Sequence, residues 1–381
     1  MEKQEQQKVS RLVFVLIPFQ GHINPMLQLA TILYAKGFSI TIIHPQFNSP
    51  NSSNHPEFTF IPISDNLPKS QVSAGDLFGI VSALNKNCEG PLTECIQEML
   101  KAEDPHDRIS CIVYDSTMCF SQSVADHLKL PGICVRTSPA ATMLAFAVFP
   151  GLHEQGYISF LESMSLDRVS DLLSLMLKEL AASMKKITTD GVLELRAAIA
   201  DSVKKCSALI VNTVDFLEQE ALTKVEELFS ASAFTIASID EKELLETAWG
   251  LANCEKPFLW VVRPGLEVLA NDAVGGFWSH CGWNSTLESI CEGVPMLCKP
   301  FFWDQNLNMR YVCDVWNVGL ELEEFEGGTI KKAIKRLMVD TEGKEMRKKA
   351  IHLKEKVELP LKEGGSCYNS LNDLAKKILS F

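Results

Sequence analysis

Two residues in the first third of the chain have the type and setting for proton transfer. His22 lies in "PFQGHINP", directly behind the apolar run "LVFVLI" (Leu12 to Ile17), and Asp115 closes a second such run, "ISCIVYD". Open α/β sheets bind ligands beyond the carboxyl ends of their strands. A histidine and an aspartate at two such ends therefore face one edge of a sheet. A carboxylate beside an imidazole fixes its tautomer and stabilises the imidazolium, which makes the ring a competent general base. A loop histidine and a helix-capping aspartate account for the same two residues without chemistry.

A denser group lies in "SHCGWNSTLES", where His280, Gly282, Trp283, Asn284, Ser285 and Glu288 fall within nine residues. His280 ends an apolar run, Cys281-Gly282 makes a turn, and Ser285 is placed to open a helix with Glu288 at its third position. Ser-x-x-Glu is a capping box, which helix stability alone explains. A helix start at a strand edge is also an anion site, with free backbone N–H groups and a favourable dipole. His, Asn and Ser side chains add donors suited to phosphate oxygens, and glycine at 282 allows close approach. Asp304-Gln305, after "PFFW", is placed to hydrogen-bond a polyhydroxyl ligand or to cap the next helix, and the cap is the simpler expectation.

The elements that must hold these residues follow a strand–helix–strand rhythm. After the first apolar run, Asn24 is placed to cap a helix with Pro25 in its first turn, and Gly37 to end it, before the strand "FSITII". This spacing makes a parallel crossover. The rhythm returns in "ISCIVYD"–"MCFSQSVADHLKL"–"ICVRTS" and in "SALIVNT"–"FLEQEALTKVEELF". It starts again with a helix over 241–253, a strand "PFLWVV" at 257–262, and "VGGFWSH"–"STLESICE"–"VPMLCK". Residues 161–205 read mostly as helix, and "SASAFTIAS" near 230–238 as a linker. The expected fold is α/β, two Rossmann-like doubly wound domains: residues 1–235, then 236–365, with a last helix over 366–381 packing back on the first.

Composition narrows the partners. The 381 residues are 46% apolar and 22% charged, ordinary for a globular protein. A net charge of -12 argues against a nucleic-acid-binding face. No apolar run is long enough to span a bilayer. The 12 cysteines include no C-x-x-C pair and lie among apolar neighbours, so they read as small buried hydrophobes in a reducing, cytoplasmic compartment. No Walker loop, G-x-G-x-x-G, H-E-x-x-H or G-x-S-x-G accompanies them, which leaves a hydrolase built on His22 and Asp115 without a nucleophile.

Together the segments "PFQGHINPMLQLA" and "VLANDAVGGFWSHCGWNSTLESICEGVPMLCKPFFWDQ" resemble the signatures of the plant UDP-dependent glycosyltransferases of small molecules. The resemblance implies a GT-B arrangement of two facing domains. It implies inverting transfer of a sugar, most naturally glucose from UDP-glucose, to a hydroxyl or carboxyl of a small lipophilic metabolite. No metal and no permanently bound cofactor are implied with it; no nucleic acid is expected from the charge, and a monomer is the expected state. His22 matches the general base and Asp115 its orienting partner. His280, Gly282, Trp283, Asn284 and Ser285 match the pyrophosphate-binding turn, Glu288 the ribose ligand, and Asp304 and Gln305 the readers of the sugar hydroxyls. Apolar residues from Met118 to Phe120, from Ala141 to Phe149 and within 160–200 are candidates for lining the acceptor pocket.

The chain also departs from the family pattern. The family's box opens with a Trp that stacks on uracil and a Gln that contacts ribose, whereas here "VVRPG" runs at once into "LEVLAN". Asn271 stands where the family usually has His, and the apolar strand that normally opens the second domain is missing upstream. The alternative reading is therefore a shortened relative, weak or inactive in catalysis, that only binds ligands.

Overall fold

The computed structural model describes residues 9–67, 76–102, 107–144, 190–229, 233–236, 269–271, 273–301, 304–323 and 327–381. Its first part runs β1 (Val9–Val15), α1 (Gln20–Ala35), β2 (Ser39–Pro45), β3 (Thr59–Ile63), α2 (Leu77–Asn87), α3 (Glu89–Lys101), β4 (Asp107–Asp115), α4 (Phe120–Leu128), β5 (Gly132–Arg136), α5 (Asp190–Lys205), β6 (Ala208–Val211), α6 (Gln219–Phe229) and β7 (Ala233–Thr235). The second part runs β8 (Phe277–Ser279), α7 (Trp283–Cys291), β9 (Met296–Cys298), α8 (Gln305–Arg310), β10 (Gly319–Glu321), α9 (Gly327–Met338), α10 (Thr341–Leu361) and α11 (Ser366–Leu379).

Every strand pairing among these residues is parallel. The first sheet has the order β3-β2-β1-β4-β5-β6-β7 and the second β10-β9-β8. The chain winds outward from β1 to β3 and then returns to lay β4 on the other side of β1, which makes the β1/β4 seam the switch point. Parallel sheets carry helices on both faces, so β1 needs apolar side chains facing both ways. Val13 and Val15 enter one core, with Leu84 of α2 and Leu92 and Ile96 of α3. Leu12 and Phe14 enter the other, with Leu33 of α1 and with Leu374 and Ile378 of α11. Burial of each such side chain contributes roughly 1.5–3 kcal/mol.

Gly37 ends α1 as expected, at φ +95, a left-handed conformation that glycine adopts without steric cost. The start of that helix differs from the expectation. It begins at Gln20, with Phe19 at the N-cap, so Asn24 caps nothing and Pro25 lies inside the helix. Backbone bonds from His22 N and Ile23 N to Phe19 O, at 2.8 and 2.9 Å, wind the extra turn. His22 is thus in the first helical turn instead of a preceding loop. The expected linker near 230–238 is corrected too, because residues 233–235 add strand β7 beside β6. A strand of three residues is held by main-chain pairing and leaves no periodic trace in sequence. The expected helix over 241–253, the strand at 257–262, the "RPGLEV" join and residues 161–189 lie outside the described residues.

Candidate active site

The β1/β4 seam brings His22 and Asp115 together. His22 Nδ1 lies 2.8 Å from Asp115 Oδ2, with the carboxylate fully buried and the imidazole a quarter exposed. Asp115 Oδ1 accepts from the backbone N–H of Thr117 at 2.9 Å and from the Thr117 hydroxyl. Burial pushes this carboxyl up, but the facing imidazole and the Thr117 hydrogen bonds outweigh it and hold the group below its ordinary value. An ionised carboxylate only accepts, so Nδ1 carries the proton and Nε2 keeps the lone pair.

A third side chain completes the arrangement. Thr137, the residue after β5, places Oγ1 2.9 Å from His22 Nδ1 and 3.5 Å from Asp115 Oδ2. The sequence reading missed it, although a polar residue just past the strand next to β4 is the signal that the switch-point rule offers. Arg136, also missed, is buried behind the dyad and donates to Thr142 Oγ1 at 2.8 Å and Ser116 Oγ at 3.3 Å. Burial lowers its affinity for the proton, while Asp304 and Asp115 foremost pull the other way.

The turn from β8 into α7 faces this dyad from the second part of the chain. It passes through Cys281 at φ +62, a conformation uncommon outside glycine, with the side chain fully buried. Gly282 lies under His280: a Cβ at 282 would fall 2.6 Å from His280 Nε2. His280 itself is exposed. The expected capping box does not form. α7 starts at Trp283 with Gly282 at its N-cap and no side-chain cap, which places Ser285 inside the first turn. The glycine caps the helix three residues earlier than a serine cap at 285 would, and the opening N–H groups lack a side-chain acceptor.

Trp283 has two faces. Its backbone opens the helix, while its indole is buried near Trp316, with ring centroids 6.3 Å apart, and donates from Nε1 to Asn212 O at 2.7 Å. Asn284 Nδ2 donates to Gly21 O at 2.8 Å, beside His22, so the two clusters meet. Glu288 is half-buried, and burial pushes its carboxyl up to about 7. Asp304 precedes α8 in the cap position but makes no cap. Its Oδ2 instead accepts from Asn308 Nδ2 at 3.1 Å. Burial raises the Asp304 carboxyl, with Asn308 and Arg136 opposing. Gln305 is buried and accepts from the Phe301 backbone N–H at 2.8 Å. Met118 and Phe120 are buried in the first core.

Residues 228–363 match the profile of the family described as UDP-glucoronosyl and UDP-glucosyl transferase. UDP-glycosyltransferase 76B1 of Arabidopsis thaliana is 36% identical over 451 residues, covering 99% of this chain and 100% of its own. UDP-glycosyltransferase 76H1 of Stevia rebaudiana is 37% identical over 429 residues, covering 93% of this chain and all of its own. An alignment of 451 positions cannot be filled by 381 residues, so the Arabidopsis relative carries segments with no counterpart here.

Among solved structures, a UDP-glucosyltransferase from Polygonum tinctorium capable of glucosylating indoxyl superposes with TM-score 0.78 at 21% identity. That match covers 98% of this chain and 99% of the other. A UDP-glucose: anthocyanidin 3-O-glucosyltransferase in complex with UDP gives 0.79 at 20% identity, covering 99% and 100%. These likenesses carry the fold, the GT-B pairing of two Rossmann-like units. Relatives similar along nearly the whole of both chains carry the rest: the chain is an enzyme of the plant UDP-glycosyltransferase family.

Proposed function

We propose that the chain transfers glucose from UDP-glucose to a hydroxyl or carboxyl of a small lipophilic acceptor, with inversion at the anomeric carbon. The observation that carries this reading is the His22–Asp115 pair at 2.8 Å, with Nδ1 committed to the carboxylate and Nε2 left for substrate. The acceptor hydroxyl gives its proton to Nε2 and its oxygen bonds to the anomeric carbon. The bond from that carbon to the diphosphate oxygen breaks, and UDP leaves with the electron pair. Asp115 stabilises the imidazolium until solvent takes the proton.

On the donor side the open first turn of α7, with His280, Gly282, Asn284 and Ser285, receives the pyrophosphate. Glu288 holds ribose hydroxyls, and Asp304 and Gln305 read the sugar. Neighbour complexes support a sugar nucleotide and a small acceptor, since a Phytolacca americana relative of the fold was solved with UDP-2fluoro-glucose and pterostilbene. We assign acceptor binding to 1–235, donor binding to 236–365, and 366–381 to a helix returning to the first domain, the whole acting as a monomer without metal. Among the described residues all cysteines are free thiols, which suits the cytosol. No described helix is long and apolar enough to cross a membrane.

Similarity along 99% of the chain favours turnover over the alternative of binding alone. The test is UDP release from UDP-glucose with a panel of simple phenols and carboxylic acids. Release that depends on acceptor is the expected result. UDP binding without any release would leave only the binding protein.

A further inference from the structure

The Asn284 side chain joins the two clusters, and a proline in α1 supplies its acceptor. In an α-helix the N–H of residue 25 bonds the carbonyl of residue 21. Pro25 has no N–H, and it lies inside α1, so that bond is missing at Gly21. Asn284 Nδ2 donates to this carbonyl at 2.8 Å, from the first turn of α7. The other end of the same amide is held as well: Asn212 Nδ2 donates to Asn284 Oδ1 at 3.1 Å. Asn212 is buried just beyond β6, and its own carbonyl accepts the Trp283 indole N–H at 2.7 Å.

The polarity of the bridge is determined. A carbonyl only accepts, so the nitrogen of Asn284 must face Gly21 and its oxygen must face Asn212. We infer that Asn212 is a positioning residue for transfer: it orients Asn284 so that the α7 turn grips the carbonyl next to His22. The base and the donor-binding helix start are thereby held in one register. Pro25 keeps the acceptor available. This inference rests on the transfer reading above, and it adds a residue outside both clusters.

The test uses the isosteric Asn212→Asp, which keeps the shape but presents an acceptor to an acceptor. The readouts are kcat, the donor KM, thermal stability, and the number of UDP sites by calorimetry. Misplacing reacting groups by about an ångström costs up to ~100-fold, so kcat per UDP site should fall about tenfold or more while the donor KM stays within about threefold. A purely structural role would lower Tm and leave kcat per site intact, and that result overturns the inference.

If Asn212→Asp yields no UDP sites, Pro25→Ala decides. It restores an N–H to compete for Gly21 and favours the helix. A lower kcat at equal or higher Tm supports the bridge, whereas an unchanged kcat overturns it. A wild-type chain that releases no UDP sinks the transfer reading and this one together. Failure of the variants alone sinks only this one.

Discussion

The two edges of the site follow opposite plans. At the β1/β4 edge both oxygens of Asp115 are engaged, by His22 and Thr137 on one side and by Thr117 on the other. At the α7 edge the helix opens without a side-chain cap. Asn284 is held at both ends of its amide, but Ser285 and Glu288 have no side-chain hydrogen bond among the described residues, although Glu288 is half-buried. A group that moves a proton must be in place before substrate arrives, because a mispositioned base loses most of its effect. A group that holds a ligand keeps its hydrogen-bonding capacity open, at a cost in stability that the ligand later offsets.

The largest effect should break the edge proposed to handle the proton. His22→Ala is expected to lower kcat by ~10²–10⁴-fold while calorimetry shows UDP affinity unchanged. A variant that keeps its turnover would remove His22 from the mechanism.

The opposite split is expected at the other edge. Glu288→Gln trades a charged acceptor for a neutral one and should weaken UDP binding roughly tenfold or more, with little change in kcat at saturating donor. Equal losses in both quantities would mean that the two edges do not divide the labour.

A smaller effect sharpens the first edge. Thr137→Val removes one hydroxyl from the imidazole and should cost about two- to tenfold in kcat, because Asp115 still holds the ring. Activity at the level of His22→Ala would make Thr137 an equal partner.

The smallest effect is a pH dependence of stability. Glu288 titrates at about 4.3 in an unfolded chain and is pushed up to about 7 by burial in the fold. The folded state therefore binds this proton more tightly, so stability falls as pH rises between those values, and the deficit persists above 7. Glu288→Gln carries no such deficit. It should melt with wild type near pH 4 and a few degrees above it at pH 8. Coincident melting at both pH values would mean that the carboxylate is not desolvated.

Side-chain types at strand ends were legible because the switch-point rule links order along the chain to position on one edge. His22 and Asp115 were found that way, 93 residues apart. Local chemistry misled where tertiary contacts decided. Ser285 and Glu288 have capping-box spacing, yet Gly282 starts the helix first. Asn24 and Pro25 have start-signal spacing, yet the preceding turn winds on. Thr137 and Asn212 are not legible in the sequence, because a lone threonine or asparagine after a strand carries no pattern. Their partners lie 115 and 72 residues away.

Helix α11 has a consequence for how the molecule is made. Leu374 and Ile378 are buried against Leu12 and Phe14 of the first sheet, and Lys36 Nζ reaches Asn372 Oδ1 at 2.6 Å. α1 covers part of this face early, through Met26, Leu29 and Leu33, but the part under Leu374 and Ile378 stays uncovered until residues beyond 370 have left the ribosome, at the usual ~5–20 residues per second. During that interval the half that carries His22 is a sheet whose back is only partly covered, and the second half must be synthesised before that cover is complete.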